Sequence, residues 1–170
     1  FQPVEGAPYG YSMNQMEDGT YQIREEDGTE YLFDENLALS KIMEGGLAAY
    51  QFHADEEGRI ILIEGKHGGI LTFTYENDRI SSASDASGNT IHFTYEEGRL
   101  AAATDPEGNS ISFAYDSHDW LRAITDASGS AYLANRYDAS GRVVSQSIAG
   151  RGESAASYDT ENRCTAFTDE

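Results

Sequence analysis

The sequence predicts an all-β chain built of tandem antiparallel hairpins, and three observations predict it. Tyr75, Tyr95, Tyr115, Tyr137 and Tyr158 recur at spacings of 20, 20, 22 and 21 residues. Asp85, Asp105 and Asp126 keep step with them, as do Gly88, Gly108 and Gly129. The residues leading into the tyrosines alternate between apolar and polar. Self-similarity at this period marks an array of one small supersecondary unit. In such an array polar residues are copied with the unit, so a repeated Asp or Arg reads as structural before it reads as catalytic.

The elements follow in order. Residues 1–20 hold Pro3, Pro8, Tyr9, Tyr11, Met13 and Met16, poor repeat material that reads as a cap or an irregular segment. Residues 21–68 read as degenerate repeats. Tyr31-Leu32-Phe33-Asp34 and Ala49-Tyr50-Gln51-Phe52 resemble first-strand ends, and Gly58-Arg59-Ile60-Ile61 resembles a second-strand opening. Glu35 to Glu44 is the nearest stretch to a helix, and a degenerate hairpin explains it as well. Residues 69–170 are the regular repeats of one continuous repeat domain. Leu71, Phe73 and Tyr75, then Ile91, Phe93 and Tyr95, then Ile111, Phe113 and Tyr115 alternate with Thr, His, Ser or Ala. This period of two with β-branched and aromatic residues is the pattern of a half-buried strand.

Each such strand runs into a short polar turn, such as Asp138-Ala139-Ser140-Gly141, and a second strand follows, such as Arg142 to Ser147. A second turn, such as Asp105-Pro106-Glu107-Gly108-Asn109, leads to the next unit. Asp opens these turns with its side chain and Gly supplies the positive φ. The second strands do not alternate cleanly. Leu100 and Ala103, or Leu121 and Ile124, sit three apart, so either a bulge resets the register or both faces are partly covered.

Composition narrows the function. The 170 residues suffice for a domain of ordinary size with a real core. Apolar runs fall short of the ~20 residues of a membrane helix. Net charge is −19, from 30 acidic and 11 basic residues. That excess disfavours nucleic acid and anionic membranes, which need basic surface. Cys164 is the only cysteine, so no internal disulfide forms, and a buried thiol is the expectation. The chain opens at Phe1 rather than Met and is read as a piece of a longer protein.

The recurring string of aromatic strand, Tyr-Asp, turn, Gly-Arg, apolar residue, Asp and Gly-Asn resembles the YD repeat. This is the repeat of bacterial Rhs proteins, toxin-complex shells, wall-associated repeat proteins and animal teneurins. Phe113-Ala114-Tyr115-Asp116, Arg136-Tyr137-Asp138-Ala139-Ser140-Gly141-Arg142-Val143 and Ser157-Tyr158-Asp159 with Asn162-Arg163 carry the resemblance, and His118 to Asp126 resembles the variant unit common in the Rhs group. Tyr75 and Tyr95 depart from it by preceding Glu, and Asp119-Trp120 stands where Gly-Arg is usual. The resemblance implies a curved, open strip of a spiral β-shell. In several members that shell encloses a C-terminal toxin polypeptide; in teneurins it is a cell-surface scaffold. The self-cleaving core motif of the bacterial shells has no match in this chain.

Candidate residues for chemistry are few. The five tyrosines read as a structural ladder, each ring stacking on its neighbour one repeat away. The aspartates lack the density of a calcium loop and read as turn caps. His53, His67, His92 and His118 occupy different repeat positions without metal-ligand spacing. No nucleophile elbow or phosphate loop is present. Arg59, Arg79, Arg99, Arg142 and Arg163 share one slot after the turn and read as cross-repeat ion pairs. Trp120 occupies that slot in one repeat, as a recognition aromatic or a core filler.

The expected function is therefore structural, without catalysis and without a cofactor. The chain is read as part of the encapsulating shell of a secreted or surface Rhs-type protein. Its partners would be the rest of that shell and its toxin, and the fragment's free strands invite edge-to-edge self-association. The alternative is an adhesion module binding glycans or a receptor through Trp120 or Tyr132.

Overall fold

In a computed structural model of the chain, residues 11–169 are described, and every regular element is a β-strand. Within each of the chain's two parts strand order follows chain order, and the paired neighbours run antiparallel. The chain divides into two compact units, one ending at Thr90 and one beginning at Ile91.

The first unit holds β1 (Tyr11–Gln15), β2 (Tyr21–Glu25), β3 (Glu30–Phe33), β4 (Leu39–Glu44), β5 (Leu47–Ala54), β6 (Ile60–Gly65), β7 (Ile70–Glu76) and β8 (Arg79–Asp85). Part of the stretch set aside as cap or irregular segment is thus a strand. Tyr11–Gln15 pairs with Tyr21–Glu25, and the rest of that stretch before Tyr11 lies outside the described residues. Glu35 to Glu44 is a turn and β4, the degenerate hairpin rather than a helix. The second unit holds β9 (Thr90–Glu96), β10 (Arg99–Thr104), β11 (Ser110–Tyr115), β12 (Leu121–Thr125), β13 (Ala131–Tyr137), β14 (Val143–Ile148), β15 (Gly152–Asp159) and β16 (Cys164–Asp169).

Directly paired residues share a face, so the register sorts the side chains. In the second unit Phe93, Ala103 and Ile111 pair in one row, and Phe113, Ile124, Leu133 and Ile148 pair in another. On the other face Thr94, Ala102, Ser112 and Thr125 form one row, and Ala114, Ala123, Ala134 and Ser147 another. The first unit repeats the division. Met13, Ile23, Tyr31, Ile42 and Tyr50 form one apolar row, and Phe52, Ile63 and Leu71 the next.

The bulge reading of the second strands is correct. In β10 Leu100 pairs with Tyr95 and Ala102 with Thr94, leaving Ala101 as the extra residue. The same shift leaves Ile61, Ser81, Arg122 and Val144 unpaired in β6, β8, β12 and β14. One extra residue turns a spacing of three into a spacing of two on the partner, so Leu100 and Ala103 return to one face.

The described residues do not form the expected core. Among the described residues Ala49 is the one buried hydrophobic side chain, and no large side chain is fully buried. The apolar face is half-exposed: Ile91, Ile111 and Tyr95 keep 41%, 42% and 36% of their surface. Alternation fixed which face is apolar but carried no information on whether another layer covers it.

Candidate functional site: the tyrosine ladder and its turns

At four of the bulges, those of β6, β10, β12 and β14, a tyrosine of the following repeat bonds the carbonyl just before the extra residue. The Tyr75 hydroxyl donates to the Ile60 carbonyl at 2.7 Å, Tyr115 to Leu100 at 3.1 Å, Tyr137 to Leu121 at 2.7 Å and Tyr158 to Val143 at 2.7 Å. In all four cases the acceptor directly precedes the bulged residue. A half-buried carbonyl left without a donor is costly, so the repeating tyrosine follows from the repeating bulge.

The rings do not stack on one another as expected. At Tyr75, Tyr115 and Tyr158 an arginine from the preceding repeat lies over the ring instead. Arg59 sits 5.0 Å from the Tyr75 ring centre, Arg99 5.5 Å from Tyr115 and Arg142 4.6 Å from Tyr158. These are cation–π distances. Acidic groups hold the guanidinium groups in place. Arg59 bonds Asp55 at 2.7 Å in its own turn and reaches Asp78 of the next at 3.0 Å. Arg99 likewise bonds Glu97 and crosses to Asp119. Arg142 pairs with Asp138 of its own turn at 2.7 Å. The ion pairs expected between repeats thus form at Arg59 and Arg99.

Trp120 takes the arginine slot in one repeat, and its ring centre lies 5.4 Å from that of Tyr137. His118 also stacks on the indole, at 4.7 Å. A Cβ placed on Gly141 would stand 2.8 Å from Trp120 Cζ2, so the turn above the indole leaves room for glycine alone. Trp120 is half-buried in this stack, whereas Tyr132 is 53% exposed as the extra residue of a bulge in β13.

The aspartates cap five-residue turns. The Asp105 carboxylate accepts from the Asn109 backbone N–H at 2.8 Å and its side-chain amide at 2.9 Å. Asp85 bonds Asn89 in the same way, and Asp126 accepts from the Ser128 and Ser130 backbone. Gly88, Gly108 and Gly129 sit at the fourth turn position with φ near +85° (85°, 87° and 83°). Asp119 occupies that position at φ 64°, a conformation Asp tolerates better than most residues. In the other set of turns Asp55 and Asp138 also accept from Arg59 and Arg142 Nε, each at 2.8 Å.

These bonds set a pH dependence. The Asn109 amide holds the Asp105 carboxyl below its ordinary value, the Asn89 amide does so for Asp85, the Ser128 hydroxyl for Asp126 and the Arg142 guanidinium for Asp138. A depressed folded value stabilises above the unfolded value of about 3.9 and is lost as pH falls through the folded one. The melting temperature should be level from pH 7 to 5 and fall below about pH 4, where these carboxylates begin to protonate. An unchanged melting temperature down to pH 2.5 would show that the caps contribute nothing.

One polar pair that the sequence reading passed over interrupts the apolar face. Asn135 stands where the other repeats place Phe73, Phe93 and Phe113, two residues before the tyrosine. It is buried, accepts from Gln146 at 2.9 Å and donates to the Leu121 carbonyl at 3.1 Å. An amide in an aromatic slot was the signal available. Cys164, expected to be buried, is exposed at the start of β16. Among the described residues no three His, Cys, Asp or Glu side chains gather as a metal site.

The RHS Repeat family model matches residues 75–109 and, overlapping them, 95–131. None of the curated proteins matches the chain. Among solved structures, a crystal structure of TcdB2-TccC3 without its hypervariable C-terminal region is 14% identical with a TM-score of 0.38, over 85% of this chain and 12% of its own. The TcdB2-TccC3 crystal structure is 14% identical with a TM-score of 0.37, over 85% and 13%. The Photorhabdus luminescens Tc holotoxin pore is 13% identical with a TM-score of 0.33, over 91% and 13%. The chain spans about an eighth of the length of these structures.

Proposed function

Because the chain carries RHS repeats, matched over residues 75–131, we propose that it is a stretch of wall in an Rhs-type shell that encloses a polypeptide. The coarser role, a structural repeat of such a shell, belongs to the repeat itself. The observation that supports enclosure is the unlikeness of the two faces. One carries Phe93, Ile111, Phe113, Ile124, Leu133 and Ile148, half-exposed and ready to hold apolar segments of another chain. The other carries Ser, Thr and Ala together with His92, Arg136 and Glu153. Such a wall suits a secreted or surface protein, and it acts by covering rather than by catalysis. The ladder residues keep the wall intact: Tyr75, Tyr95, Tyr115, Tyr137 and Tyr158 between repeats, and the Asp-Gly turns at the rims.

The experiment is protease protection of the complete gene product. Any polypeptide that follows the repeats should resist digestion under native conditions and be cut once the repeats are unfolded. Digestion at equal rates in both states would overturn enclosure. A glycan-binding reading has one observation in its favour, the exposure of Tyr132. Unaltered glycan-array binding by a Tyr132→Ala protein, or none by the parent, would remove it.

A further inference from the structure

The second unit has one apolar face, and no charged side chain stands in its central rows. Phe93–Ala103–Ile111 and Phe113–Ile124–Leu133–Ile148 run across the strands, and the polar pair beside them, Asn135 with Gln146, is mutually bonded. Phe167, 75% exposed on β16, extends the surface through its partner Ala156. A sheet with one apolar face needs a second layer, because stable domains bury that face against another element. None of the large side chains described is fully buried, so no described residue supplies that layer.

We propose that two copies of the chain associate through this face, apolar surface to apolar surface, as an aligned pair of sheets. The area fits. Eight strands about 4.8 Å apart and five to eight residues long present roughly 600–900 Å². A specific interface needs about 800 Å² from each partner. The pairing is isologous, so each copy offers the same patch and a two-fold axis closes the assembly. Aligned sheets lie about 10 Å apart, a gap that Phe113, Ile111 and their mates fill by interdigitation. The acidic turns lie at the strand ends, outside the contact. With a net charge of −19 they repel between copies, and salt relieves that repulsion. The surface is the one the shell reading assigns to an enclosed polypeptide, but the dimer concerns the chain alone, where no such polypeptide competes for it.

The test is a sedimentation series on the 170-residue chain at low and high salt. The expected result is a mass twice that of one chain, with tighter association at high salt. Phe113→Glu should give monomers, while Ala114→Glu, one residue on and on the opposite face, should leave the dimer intact. Far-UV circular dichroism of both variants reports whether the strands persist. Three results overturn the proposal: a monomer at every salt and concentration, open-ended aggregates in place of a dimer, or a dimer that survives Phe113→Glu and is lost in Ala166→Pro. The last would mean pairing along the edge of β16. Failure of the dimer leaves protection in the complete gene product untouched, so the two readings fall separately.

Discussion

Replacing Tyr115 by alanine destabilises the chain by about 2–4 kcal/mol. The ring is half-buried, lies under Arg99 and closes the Leu100 carbonyl. Its removal takes away the apolar contact, the cation–π contact and the hydrogen bond together. Tyr115→Phe keeps the ring and should cost only about 1 kcal/mol, the share of the hydrogen bond. Urea unfolding of the two variants separates these parts. A Tyr115→Ala protein with the midpoint of its parent would mean that the ladder does not hold the repeats together.

Gly141→Ala should cost about 2–4 kcal/mol, against about 1–2 kcal/mol for Gly108→Ala. Both glycines have positive φ, 79° and 87°, so both variants share the backbone strain. They differ in what the new methyl meets. At Gly108 nothing lies within 4 Å, whereas at Gly141 the methyl would stand 2.8 Å from Trp120 Cζ2 and 3.1 Å from Cε2. The indole contacts both His118 and Tyr137 and gives way only by disturbing those ring contacts. Trp120→Ala in the same chain should recover the difference, leaving Gly141→Ala no worse than Gly108→Ala. Equal costs for both glycines in the parent would show that the turn does not rest on the tryptophan.

Period and alternation were enough to place the hairpins, because the tyrosine, the Asp-Gly turn and the aromatic strand each repeat in the sequence itself. The slot shared by Trp120 and the arginines was legible for the same reason. What lay beyond reach involved atoms that no side-chain pattern names. The spacing of Leu100 and Ala103 was the trace of a bulge, but two-sided coverage leaves the same trace. The tyrosine hydroxyl finds a main-chain carbonyl, and every residue has one, so nothing in the sequence singled out Ile60, Leu100, Leu121 or Val143. Burial was misjudged at Cys164 and for the core as a whole. An apolar stripe shows where a second layer belongs without showing that one is there.

The bond from tyrosine to bulge points one way along the chain. In all four of these bonds a hairpin offers its carbonyl to the repeat made after it, over a separation of fifteen or sixteen residues. Synthesis on a ribosome therefore completes the array vectorially, with every unit provisional until its successor has emerged. A chain halted after Thr104 would hold β10 with Leu100 unanswered, and one that reaches Tyr115 would lock it. Amide exchange at Ala101 and Ala102 in two such arrested chains would read that locking, and equal exchange in both would show that the units close without their successors.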